Sequence, residues 1–220
     1  MPVGVKDKNM LKKIASLLLI LTVPFFSMAA NYQAGKQYTQ VNEQRSLTPE
    51  VREYFSFYCP HCFRFETLAA KLRTELPESL PFVRNHVDFL PEATPEMQDL
   101  LSKALIVAEQ LGVEQKIATA IFNYIHVQRA TFSSIKDIRN IFVLHGVDGD
   151  KFDKLMNSFT VSSMAKRMKK NQDYFTNKGA LTGVPTIIVN NKYRLNFATL
   201  DKADPGEDLK NLILYVSKLP

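Results

Sequence analysis

Tryptophan is absent from the 220 residues, cysteine occurs twice and histidine four times. So few soft ligands disfavour a zinc site. Zinc takes about four ligands, and Cys59, Cys62, His61, His86, His126 and His145 offer no second ligand pair at metal spacing. No flavin or nicotinamide fingerprint occurs, so no bound cofactor is expected, and no internal repeat or low-complexity tract stands out. The net charge of +6 is mild, and half of it sits in the first 29 residues, where Lys6, Lys8, Lys12 and Lys13 stand against Asp7. The remaining excess does not argue for a nucleic-acid partner. Beyond the N-terminal stretch, no segment could cross a membrane.

That stretch reads as an export leader. Lysines run to Lys13, an apolar run extends from Ile14 to Met28, and Ser27-Met28-Ala29 meets the small-x-small rule. A signal peptide over residues 1–29, cleaved before Ala30, is expected. An uncleaved anchor is the weaker reading, because the run is shorter than the ~20 residues a span wants and Pro24 interrupts it. An exported chain enters an oxidising compartment, where an accessible thiol pair is driven toward a disulfide.

Both cysteines lie in Cys59-Pro60-His61-Cys62, after the aromatic run Phe55-Ser56-Phe57-Tyr58 and at the onset of a helical pattern. This is a strand handing over to a helix with a thiol at the junction. The unpaired N–H groups and dipole of a helix start favour a thiolate, and Pro60 suits the first helical position. His61 brings an imidazole able to donate to, or charge-pair with, the sulfur. The second sulfur, one turn on, can close a disulfide with the first. A purely structural staple is a poor reading, since so small a loop constrains the unfolded chain little. The motif reads as a dithiol/disulfide exchange centre.

Around it the chain alternates in texture. Lys36 to Val41 reads as a short strand, Val51 to Tyr58 as a buried strand apolar on both faces, Pro60 to Leu76 as a helix and Phe82 to Phe89 as a third strand. Glu53 is the anomaly in the second strand. Two-residue periodicity puts it on one face with Phe55 and Phe57, leaving it either beneath the cysteines or exposed at a strand end. From Pro91 to about Thr176 strand signal vanishes and helical stripes follow one another. They begin at Pro95, Val113, Ser134 (with Asp137 resembling a capping box), Phe152 and Val161. Their methionines read as core filling, and Lys166, Arg167, Lys169 and Lys170 as a solvated face. Strand character returns in Gly183 to Val189, with Pro185 at a strand start. Asn190-Asn191 forms a hairpin turn and Asp204-Pro205 with Glu207 a final helix start. The first and last parts need each other to complete one sheet, so the helical middle reads as an insertion into an α/β domain. The cysteines would sit at the C-terminal end of a central strand, where open sheets place their sites.

At this point the sequence resembles the periplasmic DsbA-type thiol–disulfide oxidoreductases. The resemblance is carried by Phe55 to Cys62, by Gly183-Val184-Pro185-Thr186 about 120 residues later, by the helical insertion between them and by Gly35-Lys36-Gln37-Tyr38. It implies a thioredoxin fold over residues 30–90 and 177–220, with a helical insertion domain over 91–176. It also implies Cys59 as the solvent-facing attacking thiolate, Cys62 as its buried resolving partner, and His61 as a group that lowers the Cys59 pKa. Pro185 would be a cis-proline facing the pair, Val184 would offer backbone groups to an extended substrate, and Glu53 would assist proton transfer at Cys62. Glu66 matches a further acid to which no firm role attaches.

The implied function is donation of the Cys59–Cys62 disulfide to reduced, newly exported proteins by a monomeric protein. A quinone-linked inner-membrane partner of the DsbB type would reoxidise it. An isomerase or reductase in the same compartment, or a chaperone-like binder of unfolded chains, are the alternatives. Two departures from the family's pattern stand out: Arg84 takes the place of a lysine near the buried acid, and Leu105 and Met156 take positions held by tryptophan.

Overall fold

The computed structural model describes Met1 and residues 32–220; the expected signal peptide and its cleavage point lie outside the described residues. Among the described residues, five strands and seven α-helices follow in the order β1 (Tyr38–Gln40), β2 (Val51–Phe55), α1 (Pro60–Glu75), β3 (Phe82–His86), α2 (Pro95–Gln110), α3 (Glu114–His126), α4 (Ile135–Leu144), α5 (Gly149–Met156), α6 (Phe159–Asn177), β4 (Thr186–Val189), β5 (Tyr193–Leu195) and α7 (Pro205–Val216). A 3₁₀ turn, Phe197–Thr199, precedes α7.

One sheet has the strand order β1-β5-β4-β2-β3. β2 pairs parallel to β3 and antiparallel to β4, so it is flanked on both edges. The chain leaves the sheet after β3, runs through five helices, and returns as β4 beside β2. This is a thioredoxin fold with an inserted set of helices. Among the described residues no helix is long and apolar enough to cross a membrane.

Local chemistry explains where the elements start and stop. β2 ends at Phe55, short of the expected Tyr58, because a turn takes over. Ser56 O accepts from Cys59 N (3.1 Å) and Ser56 Oγ from Tyr58 N (3.2 Å). β3 ends at His86 rather than Phe89 because Asp88 N donates to the Gln172 side chain of α6 (2.9 Å) instead of to a strand. Asn190 and Asn191 take φ of 52° and 58°, the left-handed pair that a tight hairpin turn requires. Thr94, Asp148, Ser158 and Asp204 cap α2, α5, α6 and α7 through their side-chain oxygens. The capping box expected at α7 is only half made, since Glu207 pairs with Lys210 (2.6 Å).

The core has three parts. α1 and α7 pack on one side of the sheet through Leu72, Leu209, Leu212 and Ile213 against Val51, Ile187 and Val189. Tyr54, Val87, Phe175 and Ile188 form a small second cluster. The largest holds the inserted helices together with Phe55, Phe57, Tyr58 and both cysteines. Met156 and Met168 fill that cluster as expected, and the lysines of α6 are exposed. The reactive end of β2 and α1 is thus roofed by the insertion.

Candidate active site

Cys59 is the N-cap residue of α1 and Pro60 occupies its first turn. Both cysteines are free thiols. Cys59 Sγ accepts from Cys62 N (3.3 Å) and donates to Val184 O (3.3 Å), and the Val184–Pro185 peptide is cis. The Val184–Pro185 segment thereby lies against the sulfur. It also corrects the expectation of a solvent-facing Cys59: the residue is only 5% exposed, because Val184 stands over one side and the apolar cluster under the other. Cys62 is 1% exposed, one turn further in.

The two thiols diverge electrically. Cys59 is drawn down from 9.0 to about 6, chiefly by the hydrogen bond from the Cys62 thiol. Burial opposes this, and the N–H groups of Cys62 and His61, with a smaller electrostatic effect of the His61 side chain, add to it. Cys62 is pushed far up, first by burial, then by its bond to Cys59, with the Glu53 charge contributing. One helical turn separates a sulfur that holds charge from one that holds its proton.

His61 serves the sulfur less directly than expected. Its ring is exposed and makes no hydrogen bond to Cys59; Nδ1 accepts from Arg64 Nη2 (2.8 Å). The electrostatic effect of His61 is the smallest of the named contributions at Cys59.

Glu53 is fully buried on β2, which resolves its two sequence readings in favour of the interior. Its register partner on β3 is Arg84. Arg84 Nε donates to Glu53 Oε2 (2.9 Å), while Nη2 and Nη1 grip Glu66 of α1 at 2.7 and 3.3 Å. Glu114, at the start of α3, lies 3.6 Å from Nη1 and is itself paired with Arg73 (2.6 Å). The guanidinium also sits 3.8 Å from the Phe55 ring centroid. A lysine has one charged nitrogen; the forked guanidinium reaches carboxylates on β2, α1 and α3 together. Glu53 Oε1 is left with no partner. Burial outweighs Arg84 and raises the Glu53 carboxyl to about 7, with Glu66 adding to the rise.

Several site residues escaped the sequence reading. His126, at the end of α3, donates from Nε2 to Phe57 O (2.8 Å) and stacks on Phe63 with centroids 5.0 Å apart. Glu114, Arg73 and Phe197 also gave no local signal, because each acts on residues far away in sequence. An open groove of about 520 Å³ beside the cysteines is lined by His61, Arg64, Phe65, Val184, Pro185 and Phe197. A narrower cavity of about 310 Å³, lined in part by Arg84, Glu109 and Glu114, opens at the β3 edge and reaches the ion-pair network rather than the sulfurs. Among the described residues no cluster of three or more His, Cys, Asp or Glu side chains is arranged to hold a metal.

A paired thiol at a helix start, faced by a cis-proline and roofed by an inserted helical set, has counterparts among known proteins. A family described as the DSBA-like thioredoxin domain matches residues 50–213. The chain belongs to this family. It is 34% identical to the thiol:disulfide interchange protein DsbA of Escherichia coli K12 over 211 residues, 94% of each chain. It is 36% identical to the DsbA of Pectobacterium carotovorum over 194 residues, 87% of this chain and 89% of that one. Among solved structures, Proteus mirabilis DsbA with a non-covalently bound peptide PWATCDS aligns with a TM-score of 0.75 at 28% identity, covering 86% of this chain and all of that one. Pseudomonas aeruginosa DsbA aligns with a TM-score of 0.71 at 28% identity, covering 86% and 95%. As a member of the DsbA-like family, the chain is a protein thiol:disulfide oxidoreductase.

Proposed function

We propose that this protein is a dithiol oxidase that donates the Cys59–Cys62 disulfide to reduced, newly exported proteins in the periplasm. A substrate thiolate attacks Cys59 Sγ; the Cys59–Cys62 bond breaks and a mixed disulfide forms. The departing Cys62 sulfur holds its proton strongly, so it must be protonated as it leaves. Glu53, buried with one unpartnered oxygen and a carboxyl raised to about 7, is suited to deliver that proton. A second substrate thiol then attacks the substrate's own sulfur in the mixed disulfide and expels Cys59 as a thiolate. The substrate leaves oxidised by two electrons and the protein leaves reduced.

The observation that carries this reading is the depressed Cys59 thiol. A cysteine held at about 6 is a good leaving group and stabilises the reduced form against the disulfide. Each unit of pKa depression corresponds to about 1.4 kcal/mol in favour of the thiolate. Val184, whose carbonyl touches Cys59, offers backbone groups for an extended substrate to pair with, as in strand addition. The peptide bound to the Proteus mirabilis relative supports a peptide-sized ligand.

Under this proposal the protein is exported behind a cleaved signal peptide, acts as a monomer on unfolded or reduced chains, uses no bound cofactor, and is reoxidised by a quinone-linked inner-membrane partner of the DsbB type. The deciding experiment is the redox potential of the cysteine pair against glutathione. A potential well above the roughly −270 mV of thioredoxin is expected; one at or below it would mark a reductase. Cys59→Ser should abolish turnover of a reduced protein substrate, whereas a chaperone-like binder would keep its activity.

A further inference from the structure

The groove beside the cysteines has two apolar sides and two polar residues. Phe65 and Phe197 stack with centroids 5.4 Å apart and an interplanar angle of 18°, and Val184 and Pro185 line the groove with them. Phe197 is held by its neighbour Asn196, whose N–H donates to Gln37 O (2.8 Å) and whose Nδ2 donates to Lys36 O (3.0 Å). The polar residues are His61 and Arg64, and no acidic side chain lines the groove.

Arg64 is exposed and makes no ion pair among the described residues; the one bond it makes there is the 2.8 Å donation to His61 Nδ1. A guanidinium has five N–H donors, so most of its donors stay uncommitted, while that single bond restrains where the charge lies. The first turn of α1, on which His61 stands, carries no acid either. An oriented, unpaired cation beside an apolar wall complements a side chain that carries a carboxylate.

We infer that this groove seats an acidic residue of the substrate segment next to the cysteine being oxidised, and that Arg64 is the residue that selects for it. The inference rests on the exchange reading above and names its substrate class: thiols flanked by Asp or Glu. Arg64 acts on choice of substrate; the sulfur chemistry stays with Cys59 and Cys62.

The test uses the oxidised, full-length mature protein and three peptides with one cysteine each, identical except for a neighbouring Glu, Gln or Lys. The rate of mixed-disulfide formation is measured for each and corrected for that peptide's own thiolate fraction, because the neighbour also shifts the peptide thiol. At low salt the Glu peptide is expected to react about two- to five-fold faster than the Gln peptide, the range an exposed ion pair supports, and the Lys peptide slower than both. The spread should narrow as salt is raised. Arg64→Glu should invert the order and Arg64→Gln should flatten it. Equal corrected rates, or an order that Arg64→Glu leaves unchanged, would overturn the inference while leaving the exchange reading standing. If even the Gln peptide is not oxidised, the exchange reading falls and this inference falls with it.

Discussion

At the scale of single residues, the two sulfurs divide one task by their surroundings. Cys59 gains a hydrogen bond from the Cys62 thiol and N–H groups from the first turn, whereas Cys62 gains mainly burial. Cys62→Ala should therefore raise the Cys59 titration from about 6 more than His61→Ala does; the ultraviolet absorbance of the thiolate against pH measures both. Glu53 gives a second test. Its carboxyl is raised on folding from 4.5 to about 7, so ionising it disfavours the fold. Relative to Glu53→Gln, the native protein should lose stability as pH rises from about 4.5 through 7, read from denaturant midpoints at each pH. The sequence made Cys59, Cys62 and the oddity of Glu53 legible, because a thiol pair and an acid in an apolar strand break local pattern. It did not reveal that Glu66 is buried or that the His61 ring is turned to Arg64. Glu66 stands on the same helical face as Cys62 and Ala69, and its partner Arg84 lies 18 residues away on another element.

At the scale of elements, strands and helices were legible as types, while their ends were set by distant partners such as Gln172, which replaces a strand at Asp88. The insertion is fastened to the active-site turn by α3. Phe122 is fully buried and lies 5.0, 5.9 and 6.1 Å from the rings of Phe57, Phe63 and Phe55, one turn before His126. Phe122→Ala should cost about 3–5 kcal/mol in unfolding free energy, measured by chemical denaturation. Arg84 fastens the same elements from below. Arg84→Met would strand buried Glu53 and Glu66 without their cation, and a loss of about 3–5 kcal/mol is expected near neutral pH, shrinking in acid as Glu53 protonates.

At the scale of the whole molecule, the low Cys59 pKa links redox state to proton uptake. A thiol depressed from 9.0 to about 6 stabilises the reduced fold in full above pH 9 and loses that contribution as pH falls through about 6. Cys62 stays protonated throughout, so reduction takes up two protons per two electrons below that pH and one above it. The midpoint potential should fall by about 60 mV per pH unit in acid and by about 30 mV per pH unit above about pH 6; a redox titration series across that range reads the break.

The register of the sheet sets an order of events for a chain that emerges from its N-terminus. Glu53 of β2 faces Ile187 of β4, and all five inserted helices lie between them in sequence. Closing so distant a pairing is slow compared with forming local helices. A nascent chain therefore presents its thiol motif early, and the cover that Val184 gives Cys59 is completed only when the C-terminal hairpin arrives.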